Sequence, residues 1–141
     1  MVTDFIPTVD DDTRTTRSRW HIAGVVISVL VAAFLAVDIV GKLTRPEAVI
    51  EGTAKLGFPT EQTYIMGIVL LVCLVVYAIP RTAVLGAVGI TAYLGGAVTA
   101  NLRIESPLIS TTLFAVYLGV LMWIGLVLRR PELLKIAGIR R

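Results

Sequence analysis

The sequence predicts an all-helical integral membrane protein with four spans in a bundle. Three observations carry this. Hydrophobic residues make up 56% of the chain and charged residues 16%, with a mean hydropathy of +0.85; an ordinary soluble domain carries roughly a quarter charged. The apolar residues fall in four runs, at 20–42, 60–79, 82–102 and 107–128, each close to the roughly 20 residues that cross a hydrocarbon core. Prolines and basic residues stand between the runs, where helices would end. The length, 141 residues, fits one domain.

Residues 1–19 are polar, with Asp10, Asp11 and Asp12 followed by Arg14, Arg17 and Arg19. With no apolar core of their own they are expected as a mobile cytoplasmic tail. Arginines before an apolar run also suit a signal peptide. The run at 22–40 exceeds the usual h-region of roughly 7–15 residues, however, and no AxA site follows it. It is therefore read as an uncleaved first helix, with Trp20 and His21 at the interface. Pro46, Gly52, Gly57 and Pro59 mark the following loop, in which residues 49–58 suit a short interfacial helix. Thr60 is the expected N-cap of the second span, which ends at Ile79 before Pro80. The third starts almost at once, giving a tight antiparallel hairpin. Ser106 and Pro107 suit a cap and a first-turn proline for the fourth, which closes at Arg129 and Arg130. Residues 131–141 are amphipathic and expected on the membrane surface.

The third run is the expected centre. Gly86, Gly89, Gly95 and Gly96 would each cost roughly 1 kcal/mol relative to alanine in a water-soluble helix. In lipid, small residues let helix backbones approach. Ala92, Gly96 and Ala100 form one such ridge, and Thr91, Gly95 and Thr99 the next. Neighbours are expected on more than one side.

Four spans place both termini on one side. That side would carry Arg14, Arg17, Arg19, Arg81, Arg129, Arg130, Lys135, Arg140 and Arg141, against Lys42, Arg45, Lys55 and Arg103 on the other. Nine against four puts the termini in the cytoplasm.

The net charge of +3 does not indicate nucleic acid, because the cations sit at the ends of apolar runs, where anionic headgroups lie. One cysteine, Cys73, and one histidine, His21, exclude an internal disulfide, a CxxC dithiol and a structural zinc site. No carboxylate pair, Ser/His/Asp set or phosphate loop is present, so no catalytic residue and no metal ligand is assigned. Gly95–Gly96 is a packing feature, since no strand precedes it. Independent enzymatic activity is the least favoured reading.

The topology brings Asp38, Lys42, Glu61, Gln62, Asn101, Arg103 and Glu105 to the outer end. Two readings stay open. The first is headgroup-level anchoring with an Asp38–Lys42 pair on the helix surface. The second is a polar pocket open to the outer leaflet, in which Lys42 and Arg103 hold an anionic or carbonyl-bearing group such as a quinone head or lipid phosphate. Tyr93 lies mid-helix, on the face of Gly86, Gly89, Gly96 and Ala100. Its hydroxyl needs a partner at that depth: a structural hydrogen bond, with Thr91 and Thr112 as candidates, or a ligand. Trp123 and Cys73 read as core, and Arg81 as a cytoplasmic anchor.

PRTAVLG at 80–86, TAYLGGAV at 91–98 and NLR at 101–103 resemble the signature of the DoxX-like membrane proteins, small four-helix bacterial proteins. GKL at 41–43, KLGFP at 55–59 and LMWIGLVLRRPEL at 121–133 resemble flanking segments of that family. The resemblance implies an acidic residue early in the second helix, where this chain has Leu70, and often a histidine where it has Asn101. Both replacements remove titratable groups. The resemblance further implies a bacterial inner-membrane location and an accessory, non-catalytic subunit beside a membrane redox partner. The alternative is a binder or carrier of a quinone-like or lipid-like molecule. The cofactor stays unassigned, with quinone a candidate, and either a redox partner or a homo-oligomer fits.

Overall fold

A computed structural model describes residues 9–139, with side chains from Thr13 to Ile139. The side chains of Asp10, Asp11 and Asp12, and all of Arg140 and Arg141, lie outside the described residues. Every regular element described is helical: α1 (Val9–Thr44), α2 (Glu47–Lys55), α3 (Gln62–Ala78), α4 (Ala83–Arg103), a π-helical segment (Leu108–Thr112), α5 (Leu113–Arg129) and α6 (Glu132–Ile136). Three helical stretches, Thr13–Thr44, Ala83–Arg103 and Leu108–Arg129, are long and apolar enough to cross a membrane, and Gln62–Ala78 is a shorter apolar helix.

The chain from Val9 to Arg19, within the segment expected as a mobile tail, is helical. It continues α1 without a break, and its side chains from Thr13 onward are exposed. Helix nucleation is the costly step, and the apolar part of α1 supplies it.

α1 packs on α3 and α5, and α4 packs on α3 and α5. The four close a ring, with α1 and α4 across the core from one another. Leu35, Leu70, Ile90, Met122 and Leu126 fill that core, one or more from each helix. Large apolar side chains also cover the outside, among them Val37, Leu85 and Ile109 at 72%, 67% and 74% exposure.

Small residues set the closest approaches. A Cβ at Gly86 would collide with the backbone N and Cα of Tyr77, and one at Gly89 would lie 2.9 Å from Cys73 Sγ. A Cβ at Gly24 would lie 2.7 Å from Leu128 Cβ. The glycine ridge expected to seat α4 on several neighbours is therefore only half used. Gly86 and Gly89 seat it on α3, and Ala100 is buried. Ala92, Gly95 and Gly96 are exposed, with nothing within 4 Å of either glycine's would-be Cβ. The ring leaves that face of α4 outward.

Two expected caps are absent. Thr60 lies in a turn before α3 and makes no capping bond; Glu61 precedes the helix without one either. After Pro107 the chain enters a π turn, where the N–H groups of Thr111 and Thr112 both donate to the Pro107 carbonyl. Between α3 and α4, Thr82 Oγ1 donates to Val76 O at 2.9 Å and fastens the short turn.

Candidate functional site: polar groups at the two ends of the core

α1 and α4 finish, and α3 and α5 begin, at the same end of the molecule. There Lys42 Nζ donates to both carboxylate oxygens of Asp38 at 2.5 Å. The pair sits one turn apart on α1, as i,i+4 spacing requires. It is not a free surface pair: the Lys42 side chain is 17% exposed and that of Asp38 37%. The reason lies in Gly67 of α3, whose would-be Cβ is 3.0 Å from Lys42 Cβ. Without a side chain there, α3 comes close enough to cover the lysine stem.

Tyr93 faces the same region from α4. It is half-buried against the core. Its expected hydrogen bond to Thr91 or Thr112 is not made. Thr91 Oγ1 donates to Ala87 O at 2.7 Å and accepts from Trp123 Nε1 at 2.9 Å, while Thr112 Oγ1 has no partner.

The other two expected members do not join. Asn101 Nδ2 donates to Ala97 O, one turn back on its own helix, at 2.9 Å. Arg103 is exposed and donates to Leu56 O at 2.9 Å. Its guanidinium lies against Gly57, which holds φ +79 and has no Cβ to obstruct it. Ending α4, Arg103 meets the carbonyl of Leu56, which closes α2. Asp38 and Lys42 pair, whereas Asn101 and Arg103 make local bonds. Glu61 and Gln62 are exposed.

Three further residues at this end were not assigned to the polar cluster from the sequence, Thr112 having been considered only as a partner for Tyr93. Arg45, just past α1, adopts the left-handed backbone region at φ 53, which side chains other than glycine adopt at a cost. Its Nη2 donates to Thr60 O at 3.2 Å, while its buried Nε has no partner. The hydroxyls of Thr63 and Thr112 are likewise buried and unpartnered, on residues 0% and 1% exposed. Buried polar atoms are nearly always paired, so three at one end mark a place built for polar contacts. Residue type alone gave no signal for them.

At the opposite end most polar groups satisfy one another, although Arg129 Nε is buried without a partner. Tyr77, 3% exposed, donates to Ser28 Oγ at 3.2 Å and accepts from Arg129 Nη2 at 3.2 Å. The Arg129 guanidinium also lies 5.4 Å from the Tyr77 ring centroid, a cation–π distance. Arg130 Nη2 donates to Pro80 O. Trp123 and Cys73 pack against the core, Cys73 as a free thiol, and Arg81 is exposed. No group of three or more metal-ligating side chains occurs among the described residues.

These are the features of an all-helical protein with membrane-length apolar helices and a polar cluster at one end of its core. The chain belongs to the DoxX-like family, whose sequence profile matches residues 26–125, from the apolar part of α1 through most of α5. Family and helix composition together support a membrane protein. No curated protein and no solved structure matches the chain.

Proposed function

We propose that this DoxX-like protein is a four-span bundle in the bacterial inner membrane, with both termini cytoplasmic. It binds or carries a small lipid-like or quinone-like molecule through the polar end of its core. α3 counts as the fourth span: its 17 residues rise about 26 Å, near the hydrocarbon thickness of roughly 30 Å. The outward apolar side chains suit lipid, since soluble proteins seldom expose contiguous apolar surface of that extent. The single observation that carries the binding role is that three of the four unpartnered buried side-chain atoms among the described residues, Arg45 Nε, Thr63 Oγ1 and Thr112 Oγ1, lie at the end that holds the covered Asp38–Lys42 pair. Two cations, one carboxylate and hydroxyls suit a carbonyl or phosphate oxygen. They form no nucleophile–base pair, so the reading is binding without catalysis.

Ligand-induced stabilisation tests this. A molecule that binds only the folded state raises stability by RT ln(1 + [L]/Kd), about 2.7 kcal/mol at a hundredfold excess over Kd. A short-chain quinone or a lysophospholipid should raise the melting midpoint of the detergent-solubilised protein, and Lys42→Met should abolish the rise. Equal shifts in both proteins would refute the site.

The second reading is an accessory subunit beside a membrane redox partner. It is favoured by the open face of α4, where Ala92, Gly95 and Gly96 are exposed and a Cβ at either glycine would meet nothing within 4 Å, so that another helix could pack closely. A stoichiometric partner retained through mild-detergent purification and lost in Gly96→Leu would support it; retention in Gly96→Leu would count against that face.

A further inference from the structure

A second feature lies apart from the polar cluster. α4 and α5 leave between them an open groove of about 550 Å³. Thr91, Gly95 and Val98 line it on one side, and Gly119, Trp123 and Leu128 on the other. Its walls are almost entirely apolar. The hydroxyl and the indole N–H that reach it bond each other, Trp123 Nε1 to Thr91 Oγ1 at 2.9 Å. Along α5 it runs from Ala115 to Leu128, a rise of about 20 Å. One leaflet's hydrocarbon is about 15 Å deep, so the groove is long enough for a lipid acyl chain.

The groove ends where cations collect. Leu128, its last wall residue, is followed at once by Arg129 and Arg130. Arg130 reaches across to the Pro80 carbonyl in the turn before α4, and Arg81 is exposed in that same turn. Among the described residues none of the three has an ion-pair partner, and Glu132 at the start of α6 pairs with none of them. Arg129 is held inward by Tyr77, which leaves Arg130 and Arg81 at the mouth.

We propose that the α4–α5 groove holds one acyl chain of an anionic phospholipid from the leaflet on the side of the chain termini, with its phosphate at Arg130 and Arg81. Charge selects the lipid: unneutralised guanidiniums beside the mouth favour a net-negative headgroup over a zwitterionic one. The proposal rests on the membrane reading but not on the ligand assigned to the opposite end.

The test is native mass spectrometry of the full chain in mild detergent, supplied with equal phosphatidylglycerol and phosphatidylcholine of identical acyl chains. Phosphatidylglycerol should be retained in excess. Basic residues at a membrane surface each favour anionic lipid by about fivefold, so Arg81→Gln, whose side chain makes no bond in the fold, should lower that excess by about fivefold. Arg130→Gln should do the same, and Arg103→Gln at the far end should leave it unchanged. Gly95→Leu fills the groove from an open position and should reduce retention of both lipids. Equal retention of the two lipids by the unaltered chain, or an unchanged excess in the Arg81→Gln Arg130→Gln double variant, would overturn the site. The membrane reading has its own arm: release of the chain from membranes by alkaline carbonate would overturn that reading, whereas equal lipid retention by a chain that stays in the membrane overturns only the lipid site.

Discussion

Gly86→Ala is the substitution that the packing of α3 on α4 makes most costly. Alanine is the best helix former, and in an open helix position the change would gain up to about 1 kcal/mol. Here the added methyl runs into the backbone N and Cα of Tyr77 and lies 2.7 Å from its Cβ. Backbone atoms in a helix cannot turn aside as a side-chain tip can, so α3 and α4 must separate. Overpacking of this kind costs typically 1–3 kcal/mol. The shift also moves Tyr77 away from Ser28 and Arg129, to which it is bonded at 3.2 Å each. A loss of about 2 kcal/mol or more is expected, equivalent to about 4–8 °C in the melting midpoint for a chain of this size. Gly96→Ala is the matched control, with open space around its would-be Cβ and no expected loss. Thermal unfolding in detergent, followed by circular dichroism, compares the two. Equal midpoints for Gly86→Ala and Gly96→Ala would refute the packing described.

Three further outcomes are expected. Asp38→Asn leaves the largely covered Lys42 without its counter-ion and should cost about 1–2 kcal/mol, below the 3–5 of a fully buried pair because Asp38 is 37% exposed; Glu47→Gln, on the exposed start of α2, should be nearly silent, and equal effects in chemical unfolding would dismiss the pair's role. Tyr77→Phe removes the hydroxyl between Ser28 and Arg129 and should cost about 1–3 kcal/mol, since one of the two bonds is to a charged group; an unchanged midpoint would show that network to be idle. An alkaline phosphatase fused after Arg141 should be inactive, because that enzyme works only outside the cytoplasm; activity would reverse the proposed orientation.

Much of the helical character could be read from the sequence, because apolar runs bounded by proline and arginine leave little else for the backbone to do. The helical course of Val9–Arg19 could not, since composition does not show that a long apolar helix nucleates its polar extension. The glycine pattern of α4 showed that backbones approach closely but not which ones: Gly86 meets α3, while Gly95 and Gly96 meet nothing in the chain. In the candidate site, spacing exposed the Asp38–Lys42 pair. Whether it would be covered depended on Gly67, from a different helix. Arg103 was assigned by depth alone, and depth does not reveal the Leu56 carbonyl within its reach. Thr63, Thr112 and Arg45 stand out only once burial and missing partners are known.

The proposed binding role is tested most directly by identifying what the protein carries from the cell. Purified from its native membrane in mild detergent, the chain should release, besides any phospholipid of the α4–α5 groove, one amphipathic molecule in near-stoichiometric amount, identified by mass spectrometry. Lys42→Met should lose it and keep its helical circular dichroism. A wild-type chain that releases only lipids in bulk-membrane proportions, or a Lys42→Met chain that keeps the same molecule, would contradict the binding site assigned to Asp38, Lys42, Arg45, Thr63 and Thr112.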